Sequence, residues 1–121
     1  MSSKMHVIQP DGSVSTTEIT ALPGRKELQA IVGGFHEPVR VLGANGAEAV
    51  LVVNETGAIN PAAAFGEGHE NRPPLQPNAR ATAIYWTATI LGRTGVRFDP
   101  FSAPMIHGPA VLFDGYTKDE L

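Results

Sequence analysis

The chain has no cysteine, which removes disulfide scaffolds, thiolate zinc sites and cysteine nucleophiles from consideration. Charge is scarce as well. Only 17% of the 121 residues are charged, and the nine lysines and arginines are scattered without forming a basic run. Nucleic-acid binders cluster such residues, because phosphate contacts dominate their affinity. Neither DNA nor RNA is therefore an expected partner. No apolar run follows Met1-Ser2-Ser3-Lys4, so no signal peptide is read there. The apolar stretches fall well short of the roughly 20 residues a membrane helix needs. No membrane association is expected, and the cytoplasm is the default location. The final Lys118-Asp119-Glu120-Leu121 spells a retrieval signal of the secretory pathway. Without an entry signal it reads as a coincidence on a polar tail.

Catalytic patterns are equally thin. No serine lies in a Gly-x-Ser-x-Gly elbow. Gly66-Glu67-Gly68 lacks the third glycine and the preceding strand of a phosphate-cradling loop. His36-Glu37, His69-Glu70 and His107 do not have the paired spacing that brings several ligands to one metal ion. No catalytic residue, metal or cofactor is expected. His36 and His69 read as solvated loop residues, and His107 as a turn residue.

What is present describes one small domain spanning 1-121. Hydrophobic residues make up 42% of it, which argues for a packed core rather than disorder. The low charge leaves surface suited to contact with another copy, so a homo-oligomer is among the expected partners. Residues 5–9 and 13–19 read as strands joined by the turn Pro10-Asp11-Gly12. Residues 25–32 place Leu28, Ile31 and Val32 at helical spacing and end on Gly33-Gly34. Residues 39–42 and 48–53 form a second hairpin across an Asn-Gly turn. Val50-Leu51-Val52-Val53 is apolar on both faces, as a strand covered on each side would be.

Residues 60–78 and 92–108 read as long loops. Residues 78–91 fit a helix capped by Asn78, although their Thr, Ile, Tyr and Trp content also fits a strand. Residues 110–113 form a last strand, and 114–121 a polar tail. The class is α+β: a small mixed or antiparallel sheet with one or two helices, in β-grasp-like order (β-β-α-β-β) over the N-terminal half.

The candidate ligand-binding residues are Phe65, Asn71, Arg72, Asn78, Arg80 and Tyr85, with Trp86 beside them. Arginines next to aromatic faces can hold a planar, phosphorylated ligand by charge and stacking. The alternative is that Tyr85 and Trp86 belong to the core and the arginines are solvated.

Several segments in order carry a resemblance. They are Gln9-Pro10-Asp11-Gly12, Leu28-Gln29-Ala30-Ile31-Val32-Gly33-Gly34, Val52-Val53-Asn54-Glu55-Thr56-Gly57, Pro77-Asn78-Ala79-Arg80-Ala81-Thr82 and Ile106-His107-Gly108-Pro109-Ala110-Val111. From about residue 5 to 115 the chain resembles a family of small proteins known only as a domain of unknown function. That family occurs mainly in bacteriophages, plasmids and bacterial genomes carrying mobile elements. Residues 66–74 and 92–104 look like insertions relative to it.

The resemblance implies a non-enzymatic accessory protein in the bacterial host cytoplasm. It would bind a host protein, such as a defence component, or a small nucleotide-like ligand that serves as its signal. It implies no catalytic residues. A small hydrolase using Glu67, His69 and Glu70 on a phosphorylated compound, or a structural assembly protein, are the competing expectations.

Overall fold

Alternation of apolar side chains fixes the architecture. The computed structural model describes residues 3–43, 46–54, 75–95, 97, 99, 105–116 and 118–121. Five strands, β1 (Ser3–Ile8), β2 (Val14–Ile19), β3 (His36–Leu42), β4 (Glu48–Asn54) and β5 (Ala110–Asp114), form one sheet in the order β2-β1-β5-β4-β3. Every pairing is antiparallel. Helix α1 (Arg25–Val32) follows the first hairpin, and α2 (Ala79–Ile90) precedes β5. The expected α+β class is present, with an antiparallel sheet and two helices; the expected β-grasp-like order agrees only roughly, since β5 enters between β1 and β4 and every pairing is antiparallel.

Two cores lie on opposite faces of the sheet. On the α2 face, Ala49, Leu51 and Val53 pack with Ile8, Val41, Ala81, Ala88, Ile106 and Ala110. On the α1 face, Val50 and Val52 pack with Leu28, Val32, Val111 and Phe113. Residues 49–54 are all buried, as the unbroken apolar run predicts for a strand covered on both sides. Helix α1 contributes Leu28 and Val32, each worth about 1.5–3 kcal/mol of burial. It ends on Gly33 at φ +83°, the left-handed conformation that glycine adopts without penalty.

Helix α2 resolves the ambiguity over residues 78–91. Asn78 caps it by accepting a hydrogen bond from the Ala81 N–H. Thr82 and Thr89 donate to the carbonyls of Asn78 and Tyr85, which occupies hydroxyls that would otherwise compete with the helical backbone. Thr82 also accepts from the Ile106 N–H and so ties the helix to the lead into β5.

Two expectations change. His36 is not a solvated loop residue. It opens β3 opposite Asn54, half-buried, with Nδ1 enclosed and lacking a hydrogen-bond partner. Residues after Asp114 do more than trail into solvent. Tyr116 and Leu121 pack on the α1-face core, with the Tyr116 ring edge-on to Phe113 at 6.2 Å and a 3₁₀ turn at Lys118–Glu120 between them. No helix of the described residues is long and apolar enough to cross a membrane.

Candidate functional site

Three segments meet at the end of the sheet where β1 finishes and α2 begins. The first is the β1–β2 turn. Gln9 donates to the Ser13 carbonyl and the Gly12 N–H returns to Gln9, with Gly12 at φ +92°. Asp11 Oδ1 accepts from both the Ser13 N–H and its hydroxyl, at 2.8 and 2.7 Å. The hydroxyl, followed by the N–H, holds the Asp11 carboxyl below its ordinary value, so it is charged at neutral pH. The second segment is Gln76-Pro77, where Pro77 bridges to His107 and the Gly108 N–H donates to Gln76. The third is the first turn of α2.

Between the first two segments lies an open cleft of about 570 Å³ lined by Gln9, Pro10, Asp11, Gln76 and Pro77. Its walls are stiff. Two proline rings fix the backbone locally, and both turns are tied by backbone hydrogen bonds. The lining offers flat apolar ring faces, amide groups that donate and accept, and one carboxylate. Arg80 lies three residues beyond Pro77, exposed in the first turn of α2, where no acidic side chain sits. The helix N-terminus adds a partial positive charge there.

The six sequence-derived candidates separate on this geometry. Phe65, Asn71 and Arg72 lie outside the described residues. Asn78 is a correction. It has no exposed surface, and its side chain is consumed by the cap and by bonds from Nδ2 to the Ile8 and Gly108 carbonyls, both 2.9 Å. Asn78 therefore positions the site and cannot touch a ligand. Tyr85 is half-buried against the α2-face core, which is the packing alternative. Among the described candidates only Arg80 is exposed; it does not line the cleft but follows Pro77 by three residues. Gln9, Asp11 and Gln76 line the cleft but carry no signal in the sequence, because turn residues show none until a second segment stands beside them.

A second polar cluster crosses three strands. His6 Nε2 lies 2.9 Å from Asp114 Oδ2, and His6 Nδ1 lies 2.9 Å from Thr16 Oγ1. Residues of even number on β1, β2 and β5 share the α2 face. This parity, countable from the strands, places the trio together. A carboxylate, an imidazole and a hydroxyl in line are the parts of nucleophilic catalysis. Here all three rise from the flat face of adjacent strands, and the bonds fix the register of β1 between its neighbours. His107 Nδ1 accordingly has a local partner of its own, the Met105 carbonyl at 2.9 Å. Among the described residues no group of three or more His, Asp or Glu could hold a metal ion.

No protein-family model, no curated protein and no solved structure matches the chain.

Proposed function

We propose that the chain is a non-enzymatic binding protein, of the accessory kind carried by phages and mobile elements, whose ligand is a small nucleotide-like signal of the host. The base would lie in the cleft between Pro10 and Pro77. Proline rings pack against planar faces, while the Gln9 and Gln76 amides and the Asp11 carboxylate can pair with the edge of a base. The phosphates would extend toward Arg80 and the N-terminus of α2, where a guanidinium and the helix dipole favour anions. The observation that carries this reading is the stiff cleft with one exposed arginine a single helical turn beyond it. Loops held on a rigid scaffold are where binding groups concentrate.

Calorimetric titration against a panel of nucleoside phosphates and cyclic dinucleotides tests it. At least one panel member should bind, and Arg80→Glu should weaken it about tenfold or more, the cost of about 1.4 kcal/mol of charge contact. Melting should barely change, because exposed substitutions shift stability by less than about 0.5 kcal/mol. No binding by any panel member, or unchanged affinity in Arg80→Glu, would refute the assignment.

The line of Thr16, His6 and Asp114 favours a hydrolase as the second reading. Turnover of a phosphate or carboxylate ester that His6→Gln abolishes would support that reading over the first.

A further inference from the structure

The two edges of the sheet are built differently. β3 is defended. It carries Pro38, the charged Glu37, and Arg40 paired with Glu48 at 3.2 Å. Proline and charge on an edge strand are the usual guards against pairing with another chain. β2, at the other edge, reads Val-Ser-Thr-Thr-Glu-Ile, has no proline and one charge, and is exposed from Val14 to Glu18. Among the described residues no strand pairs with its outer side.

The register shows which backbone groups point outward. The Gln9 N–H donates to Ser13, so Gln9 and Ser13 form a hydrogen-bonded pair. Such pairs alternate along an antiparallel ladder. Ser15, Thr17 and Ile19 therefore bond inward to Val7, Met5 and Ser3. The N–H and C=O groups of Val14, Thr16 and Glu18 face outward.

We propose that the outer edge of β2 pairs with β2 of a second copy of this chain, about a two-fold axis at Thr16, to give one continuous ten-stranded antiparallel sheet. An isologous contact requires the same strand on both sides, with like faces of the sheet aligned. That allows only pairings in which even positions meet even positions. Centring on Thr16 sets Thr16 against Thr16 and Val14 against Glu18 twice. All three pairs then use outward groups, two bonds each, about six in all. Centring on Thr17 would leave Val14 without an outward partner on the facing strand and yield only about four.

The chosen register opposes no like charges, because each Glu18 meets Val14. It also places two threonines side by side, a favourable cross-strand pair. Thr16 is bonded to His6 and through it to Asp114 in each copy, so the two polar chains meet at the axis. The proposal is independent of the cleft and its ligand.

The absence of cysteine makes the test clean. Thr16→Cys should give a disulfide-linked dimer on mild oxidation, since facing hydrogen-bonded residues have Cα atoms about 5.5 Å apart, within reach of a disulfide. Val14→Cys alone is the control, because its two copies would lie about 13 Å apart along the strands. A mixture of Val14→Cys and Glu18→Cys should again cross-link, at a rate well above either variant alone. Sedimentation of the unmodified chain should show a concentration-dependent doubling of mass. Thr16→Pro removes an outward N–H and should abolish that doubling; the cross-linking result decides the matter if this variant fails to fold. A mass that stays monomeric at high concentration, or Thr16→Cys linking no faster than Val14→Cys, would overturn the proposal.

Discussion

Replacing Asn78 by alanine probes the joint that holds α2 against the sheet. The side chain has no exposed surface and makes three hydrogen bonds, to Ala81, Ile8 and Gly108. Losing the cap costs about 1 kcal/mol. Leaving the Gly108 carbonyl without that donor costs about 1–3 kcal/mol, and the Ile8 carbonyl, which faces Ala110 in the β1–β5 ladder, loses one of two bonds at about 1 kcal/mol. The sum is about 3–5 kcal/mol, against a total stability of roughly 6–18 kcal/mol for a chain of this length.

Urea unfolding followed by fluorescence of Trp86, half-buried on α2, measures the loss. With a slope of about 1–3 kcal/mol per molar urea, the midpoint should fall by about 2 M. Asn78→Ser separates the two contributions, because a serine can still cap the helix but cannot reach both carbonyls. It should recover about 1 kcal/mol and no more. A midpoint shift corresponding to less than about 1 kcal/mol for Asn78→Ala would refute the positioning role. Full recovery in Asn78→Ser would mean that capping alone mattered.

Val50 and Val52 both face α1 and are completely buried. Either one changed to aspartate places an unpaired charge in that core, at a cost of roughly 3–5 kcal/mol, and should leave the protein insoluble or unfolded by circular dichroism. Soluble, native-like behaviour of both variants would contradict the sheet assignment. The Asp11 carboxyl is held below its ordinary value of 3.8 by the Ser13 hydroxyl and N–H, so its contribution to the turn is complete above pH 3.8 and disappears as the pH falls through the lower, folded value. Amide exchange at Ser13 should accelerate over that acid range, and Asp11→Ala should exchange fast with no such pH step.

Regular elements were largely readable because their signals are local. The helix over residues 25–32 and the burial of residues 50–53 follow from spacing and composition alone. The sequence places the start of β3 at Val39, three residues after its actual start at His36, because Pro38 is a poor strand residue. The Gly43 N–H bonds the Ala47 carbonyl, and alternation from that pair points the Pro38 nitrogen away from β4, where no strand of the described residues calls on its missing N–H. The choice between helix and strand for residues 78–91 rested on bonds that Asn78 and Thr82 make to Ile8, Gly108 and Ile106, partners 24 to 70 residues away. The same distance explains the site. Asn78 carries the polar signature of a ligand contact and of a buried tie equally well, and only its neighbours distinguish the two. Gln9, Asp11 and Gln76 are ordinary turn residues until the fold sets them around one cleft.

The most direct test of the binding assignment is nuclear magnetic resonance of the labelled protein titrated with the nucleotide panel. Amide shifts should concentrate at Gln9, Asp11 to Ser13 and Gln76 to Ala81, with Arg80 among the largest, while β3 and the α1-face core stay fixed. Shifts that avoid these two segments, or none at millimolar ligand, would contradict the account.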